Sequence, residues 1–272
     1  MKYFKNWDEV TRCLATAHNN GRMASNFFPD EKRMSRWFDN GSFLFEEYQK
    51  TTFLVRRQET FSNIYFLSES SKTLAEDLPA FLANNISMRF VVDVLGVDIV
   101  REPLEAVFKS SGFTVLTTLQ RMSRRTPDNN DVLDNEIEIA KVSDADSIHR
   151  LLINNFVAEE EQIPCLEDIL DWIDAGEILI AKDIYSSNTI GFIIFDLCPA
   201  TLYLRYWFVS PQGRGNGVGG RLMRSMFAIG KSTKRQYFWV KTDNENAIIR
   251  YKHYGFEFEQ LKDTVLLLSN LN

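Results

Sequence analysis

Residues 208–223 have the residue types and spacing of a segment that captures an anion. The glycines at positions 215, 217 and 219 carry no side chain, so a ligand can approach the backbone closely. The segment follows a predicted strand and leads into a predicted helix, whose first N–H groups and positive end would face the ligand. Arg214 adds a positive charge at the rim. These features predict a binding site for a diphosphate group.

A second segment, residues 244–257, has a helix start at Asn244, a helical body and a stop at Gly255. Tyr251 shares one helical face with Tyr254, and we expect that face to point towards the sheet rather than to solvent. A tyrosine that only packs in the core remains the alternative for Tyr251.

Both segments resemble motifs of the GNAT superfamily of acyl-coenzyme A-dependent N-acyltransferases. The first resembles the coenzyme A pyrophosphate loop, and the second resembles the helix motif that follows it. The resemblance implies that acetyl-CoA is the cosubstrate and that an acetyl group passes directly to an amine. The matching positions are Val209, Pro211, Arg214, Gly217 and Gly219 in the first motif and Asn244, Ala247, Tyr251, Gly255 and Phe256 in the second.

The resemblance also implies roles for individual residues. Asn244 would hydrogen-bond the pantetheine arm, and the Tyr251 hydroxyl would stabilise or protonate the departing thiolate. A backbone N–H at Val209 would polarise the thioester carbonyl, and a splay between strands 202–209 and 237–241 would admit the pantetheine. The residues expected at the cofactor are Phe208, Val209, Arg214, Gly215, Asn216, Gly217, Val218, Gly219, Gly220 and Asn244.

The general base is the least defined part of the predicted site. Many GNAT relatives carry a carboxylate on the strand that corresponds to residues 202–208, and this strand has none. Asp196 on the preceding strand is one candidate base. The acidic run 159–161 is another, although such a run is more typical of a solvated loop. Tyr206 and Trp207 are candidates for the acceptor pocket, and core packing explains Trp207 equally well.

A nicotinamide-binding fold is the rival interpretation of the glycines. Residues 215–220 also satisfy Gly-x-Gly-x-x-Gly, and Asp243 follows the next predicted strand. Only 29 residues follow Asp243, too few for the repeated strand–helix units of a doubly wound sheet. Antiparallel strands also precede the loop. We therefore expect a mixed α/β sheet of the GNAT-like acyl-coenzyme A N-acyltransferase type.

A polar segment with proline and clustered asparagine and aspartate predicts a domain boundary in the middle of the chain. We predict an N-terminal domain at 1–125, a linker at 126–135 and a GNAT acetyltransferase domain at 136–272.

The N-terminal half shows a fainter version of the same plan, which predicts two such domains in tandem. When Gly112 is aligned with Gly255, Phe108 stands where Tyr251 does and offers no hydroxyl. An accessory α/β domain of unrelated fold remains the alternative.

Composition limits the class of function. The net charge of −6 argues against a nucleic-acid partner, and three scattered cysteines with three histidines indicate neither a disulfide framework nor a metal site. No apolar run is long enough to cross a membrane, so we expect a cytoplasmic protein.

The acceptor would be a small-molecule or peptide amine. A non-catalytic acyl-CoA-binding sensor, a transferase with a longer acyl or aminoacyl donor, and a purely structural protein remain alternatives.

Overall fold

The computed structural model describes residues 1–127 and 131–269, and these form two compact units. The first unit comprises Met1–Leu119 with the residues from Gln260 onwards, and the second comprises Gln120–Glu259. This division differs from the predicted domains 1–125 and 136–272, because the second unit starts before the predicted linker and the C-terminal strand lies in the first. Residues 128–130 of that linker lie outside the described residues.

Ten helices and strands precede the strand at which the division falls, and they begin and end at turns rich in glycine, asparagine and serine. They are β1 Lys2–Tyr3, α1 Trp7–Asn19, β2 Ala24–Ser25, α2 Glu31–Asp39, β3 Phe43–Glu47, β4 Thr51–Arg57, β5 Ser62–Ser68, α3 Ser71–Asn84, β6 Phe90–Gly96 and α4 Asp98–Ser110, followed by β7 Thr114–Arg125.

The rest of the chain contains the segments of predicted function. Its elements are β8 Glu138–Ile139, α5 Ala145–Asn155, α6 Ala158–Glu161, α7 Leu166–Asp174, β9 Ile178–Lys182, β10 Thr189–Leu197, β11 Thr201–Val209, α8 Val218–Ile229, β12 Arg235–Lys241, α9 Glu245–His253 and β13 Glu257–Leu268.

The sheet of the first unit has the strand order β1-β3-β4-β5-β6-β13-β7, with β2 paired to β5 and with residues 114–119 of β7. The last strand, β13, pairs antiparallel with β6 from Lys262 opposite Gly96 to Leu268 opposite Phe90. The predicted domain 136–272 assigns residues 265–268 to the C-terminal domain, but they complete the first unit instead. Alternating side chains bury two cores, one on each face of the sheet.

In the second unit the strands follow the order β7-β12-β11-β10-β9-β8, and β7 contributes residues 120–125. Strands β9, β10 and β11 pair antiparallel, as the sequence predicts. Strand β12 runs parallel to β11 after the α8 crossover, and the pairs are Thr201–Arg235, Leu202–Gln236 and Tyr203–Tyr237. Both units share the succession strand, helix, parallel strand, helix, which in the first unit is β5, α3, β6 and α4.

The predicted splay is present between β11 and β12. Among the described residues their pairing ends at Tyr203 and Tyr237, although β11 continues to Val209 and β12 to Lys241. A bulge in β11 falls at Arg205, because Ile194 lies opposite Tyr206 and Phe195 lies opposite Leu204. The bulge changes which β11 side chains face α8.

Candidate acyl-coenzyme A site

A cavity of about 790 Å³ lies where the end of β11, the start of α8 and helix α9 meet in the second unit. Most of the residues predicted for the site line it: Trp207, Val209, Arg214, Gly215, Gly217, Val218, Gly219, Gly220, Asn244 and Tyr251.

The loop at the mouth of this cavity is shaped by Ser210 and two glycines. The Ser210 carbonyl oxygen accepts hydrogen bonds from the N–H groups of Gly213 at 3.0 Å and Arg214 at 3.1 Å. Gly215 and Gly217 then adopt φ angles of +81° and +73°, in the left-handed region that disfavours other residues. A Cβ atom at either glycine would meet nothing within 4 Å, so their conformation, and not crowding, is what requires glycine.

Gly219 is required for a different reason. A Cβ atom there would approach Cζ2 of Trp207 to 2.9 Å, so the absence of a side chain lets the indole pack against α8. Sequence reasoning assigned this glycine to the ligand alone.

The N-terminus of α8 is open to a ligand. Its N-cap residue is Gly217, which provides no side-chain hydrogen bond, so the first N–H groups of the helix are not capped by their own chain. The corresponding helix of the first unit, α3, is capped by Ser70, whose hydroxyl accepts from the Thr73 N–H at 3.2 Å. Only the second unit therefore presents an uncapped helix end at this place in the fold.

Tyr251 lies on α9 with its ring buried in the core and its side chain at the cavity wall. Its ring centroid is 3.9 Å from that of Phe238 and 5.7 Å from that of Trp207. Burial raises the pKa of the Tyr251 hydroxyl, the Glu161 carboxylate raises it further, and Arg250 opposes them. The hydroxyl therefore keeps its proton at neutral pH and can act only as a donor or a neutral acceptor.

Asn244 is the N-cap of α9, and its side-chain oxygen accepts from the Ala247 N–H at 3.2 Å. The residue also lines the cavity, so this capping bond fixes a polar side chain at the cavity wall.

Asp196 does not line this cavity and is engaged elsewhere. Its carboxylate accepts a hydrogen bond from Trp172 Nε1 at 2.7 Å and another from Arg205 Nε at 2.7 Å. Both oxygens are thus used, which does not favour Asp196 as a general base.

Three other predicted residues also lie outside the lining of the cavity. Phe208 is buried in the core on the other face of the sheet. The exposed Asn216 donates from its side chain to the Gln212 carbonyl oxygen at 3.2 Å. The Tyr206 hydroxyl donates to the carbonyl oxygens of Glu161 and Gln162, at 2.9 and 3.1 Å.

The acidic run is not a freely solvated loop. Glu160 and Glu161, on α6, both form ion pairs with Lys241 Nζ, at 2.6 and 2.7 Å. Their side chains are 19% and 21% exposed. The expectation of a solvated loop was wrong for these two residues, because the charge that pairs with them lies on a strand far along the sequence.

Several residues of the cavity wall were missed by sequence reasoning. The spacing of three or four residues from Asn244 and Tyr251 along α9 could have found two of them, Ala247 and Tyr254. The missed residues are Gly213, Asn246, Ala247, Arg250 and Tyr254.

Residues 1–127 and 131–269 include neither a membrane-spanning helix nor a cluster of metal ligands. No helix there is long and apolar enough to span a membrane. No group of three or more histidine, cysteine, aspartate or glutamate residues there could hold a metal ion.

Comparison with protein families gives one match. The model of the Acetyltransferase (GNAT) family matches residues 145–256, which contain both motifs and every element from α5 to α9. No curated protein matches the chain.

Solved structures resemble nearly the whole chain. A tandem GNAT protein from the clavulanic acid biosynthesis pathway is 12% identical with a TM-score of 0.63, over 97% of this chain and 96% of that one. A GCN5-related N-acetyltransferase from Sphaerobacter thermophilus is 12% identical with a TM-score of 0.58, over 95% and 91%. A GNAT-family acetyltransferase from Colwellia psychrerythraea is 13% identical with a TM-score of 0.56, over 98% of both chains. The second unit of this chain therefore carries a domain of the GNAT acetyltransferase family, and the chain as a whole has a tandem GNAT fold.

Proposed function

We propose that this protein is an acetyl-CoA-dependent N-acetyltransferase whose second unit transfers the acetyl group directly to the amine of a small molecule or peptide. One observation carries the proposal: an uncapped helix N-terminus and a protonated tyrosine line the same cavity beside a splay in the sheet. The first provides for a diphosphate and the second for a leaving thiolate.

Acetyl-CoA, when bound, supplies an acyl group activated as a thioester. The N–H groups at the start of α8 and the positive end of that helix would hold its diphosphate. Arg214 lines the same cavity, and its Nε donates to the Val209 carbonyl oxygen at 3.2 Å, which holds the guanidinium at the end of β11. Asn244 would bind the pantetheine arm, for which the cavity extends from the α8 loop to α9.

The peptide N–H groups of β11 would polarise the acyl carbonyl. Beyond Tyr203 this strand has no pairing with β12 among the described residues, so the backbone there is open to a ligand on that side. Val209 lies at the open end and at the cavity wall. We assign the carbonyl contact to the backbone at Val209.

Proton transfer is assigned to Tyr251 on the donor side. The hydroxyl is protonated at neutral pH, as a group that hydrogen-bonds or protonates a departing thiolate must be, and it lies at the cavity wall. On the acceptor side Asp196 stays a prediction, and its two hydrogen bonds favour a structural role instead.

The first test titrates the protein with acetyl-CoA in a calorimeter and then follows free thiol release with a panel of primary amines. We expect saturable binding and thiol release that depends on an amine. Binding without thiol release from any amine would favour the acyl-CoA-binding sensor, and release only with a longer acyl or aminoacyl thioester would change the donor. Absence of binding would contradict the proposal.

A further inference from the structure

Helix α6 is attached to both strands that diverge at the splay. Tyr206 on β11 donates its hydroxyl hydrogen to the backbone carbonyls of Glu161 and Gln162. Lys241 on β12 donates to the carboxylates of Glu160 and Glu161. One short helix is thus held by a neutral contact to one strand and an ionic contact to the other.

Both attachment points lie where the two strands have already separated. Tyr206 is three residues beyond the last β11 pair, and Lys241 is four residues beyond the last β12 pair. Phe238 and Val240 face the core that packs against α8, so Lys241 alternates onto the opposite face of β12. The bulge at Arg205 places Tyr206 on that same opposite face, in the core formed with α5 and α7. Helix α6 therefore lies on the face away from the cofactor cavity.

If the proposed function holds, α6 lies beside the acyl group that enters the splay. An acyl group in the splay would have α8 and α9 on one side and α6 on the other. The Glu161 charge acts on the pKa of Tyr251, which indicates that α6 comes within electrostatic range of the candidate acid. Water that reached the thioester from this side would compete with the amine.

We propose that Tyr206 and Lys241 are positioning residues, which hold α6 over the open end of the splay and so keep water from the acyl group until an acceptor enters. The competing reaction is hydrolysis. It breaks the thioester C–S bond and forms a C–O bond from water. One proton of the water goes to the thiolate and the other to solvent, which gives acetate and the free thiol.

The test uses the full chain with the variants Tyr206→Phe and Lys241→Met, and acetyl-CoA in the absence of any amine. Each variant loses one attachment, so we expect amide hydrogen exchange of residues 158–162 to rise about fivefold. We expect acetyl-CoA hydrolysis to rise by about the same factor, with the affinity for acetyl-CoA unchanged. Lys241→Arg keeps the charge, so its amide exchange and its acetyl-CoA hydrolysis should stay close to those of the wild type.

Matched controls are Tyr185→Phe, at a tyrosine that is 91% exposed, and Lys234→Met, at an exposed lysine just before β12. Neither should change exchange or hydrolysis. Unchanged exchange in both test variants would show that the two contacts do not hold α6. Faster amide exchange without faster acetyl-CoA hydrolysis would show that α6 does not keep water from the acyl group. If the wild type does not bind acetyl-CoA, the proposed function fails, while the exchange measurement still decides whether Tyr206 and Lys241 hold α6.

Discussion

The guanidinium of Arg124, on β7, donates a hydrogen bond to the carbonyl oxygen of Tyr254 at the C-terminal end of α9. The group also lies over two aromatic rings of the second unit, 3.9 Å from the centroid of Phe227 and 4.7 Å from that of Phe256. Since α9 carries Tyr251, a residue outside the family's matched range 145–256 supports the helix of the candidate acid.

Replacement of Arg124 should therefore destabilise the second unit. Arg124→Met removes two hydrogen bonds, to the Tyr254 carbonyl and to the Gln236 side chain, and two cation–aromatic contacts. We expect the free energy of unfolding to fall by about 2–3 kcal/mol. Urea unfolding measures the loss, and Arg125→Met, at the exposed neighbouring residue, is the control. Equal stability of the two variants would contradict a structural role for Arg124.

The Tyr251→Phe variant tests the proposed acid. It keeps the ring that packs on Phe238 and removes only the hydroxyl, so folding and acetyl-CoA affinity should be retained. We expect kcat to fall by about 10²-fold, the lower end of what general acid catalysis contributes. Tyr254→Phe, at another tyrosine of the cavity wall, should retain activity. A Tyr251→Phe enzyme with wild-type kcat would remove the acid role.

The parts of the site that could be predicted from the sequence are those formed by one continuous segment of chain. The strand, the glycines and the following helix form one continuous segment, so the loop that ends at Gly217 and Gly219 was identifiable without knowledge of the rest. The sequence did not show why each position needs glycine. Position 219 needs it because the Trp207 indole packs against α8 there, and that contact exists only in the folded sheet.

Long-range pairs explain most of what the sequence analysis missed. The pattern of residues 265–268 predicts a strand, but it does not say that β6 is the partner. Arg124 meets Tyr254 at a separation of 130 residues, and Lys241 meets Glu160 at a separation of 81. Such contacts depend on the order of strands in the sheet, which no motif of this chain specifies.

The first unit should not bind acetyl-CoA, and the stoichiometry should be one per chain. The N-terminus of α3 is occupied by its own capping box, in which the Thr73 hydroxyl accepts from the Ser70 N–H at 2.9 Å. Phe108, at the position equivalent to Tyr251, is fully buried and has no hydroxyl. Calorimetry at known active concentration measures the ratio, and a value of two would contradict this assignment.

Asp263 should make the stability of the first unit fall as the pH rises. Burial and the charge of Asp93 raise the pKa of Asp263 well above its usual range, against the opposing effect of Arg101. Because the folded-state pKa exceeds the unfolded-state value of about 3.9, the stabilising contribution is complete below that value and is lost as the pH rises through the folded-state pKa. Asp263→Asn should then raise the free energy of unfolding at pH 8.

Asp98 lies in the same unit, and its pKa is shifted in the direction opposite to that of Asp263. Hydrogen bonds from Lys262 and Arg101 lower its pKa, so its contribution is present above the unfolded-state pKa and is lost as the pH falls through the folded-state value. Asp98→Asn should not stabilise the protein at pH 8. Urea unfolding at pH 5 and pH 8 measures the free energy of unfolding of both variants. An Asp263→Asn protein that is less stable than the wild type at pH 8 would contradict the prediction, because it would show that the buried carboxylate is stabilising.

The electrostatic part of cofactor binding can be isolated at Gly217. Asparagine and aspartate both tolerate a φ angle of +73° better than other residues with a side chain, and they have nearly the same shape. Gly217→Asn therefore measures the effect of a side chain in the open space before α8, and Gly217→Asp adds one negative charge beside the expected diphosphate. We expect Gly217→Asp to bind acetyl-CoA at least about tenfold more weakly than Gly217→Asn, with a difference that shrinks at high salt.

The same pair at Gly21, a glycine of the first unit with φ of +76° and equally open surroundings, should leave the affinity unchanged. Equal affinities of the two Gly217 variants would place the diphosphate away from the N-terminus of α8.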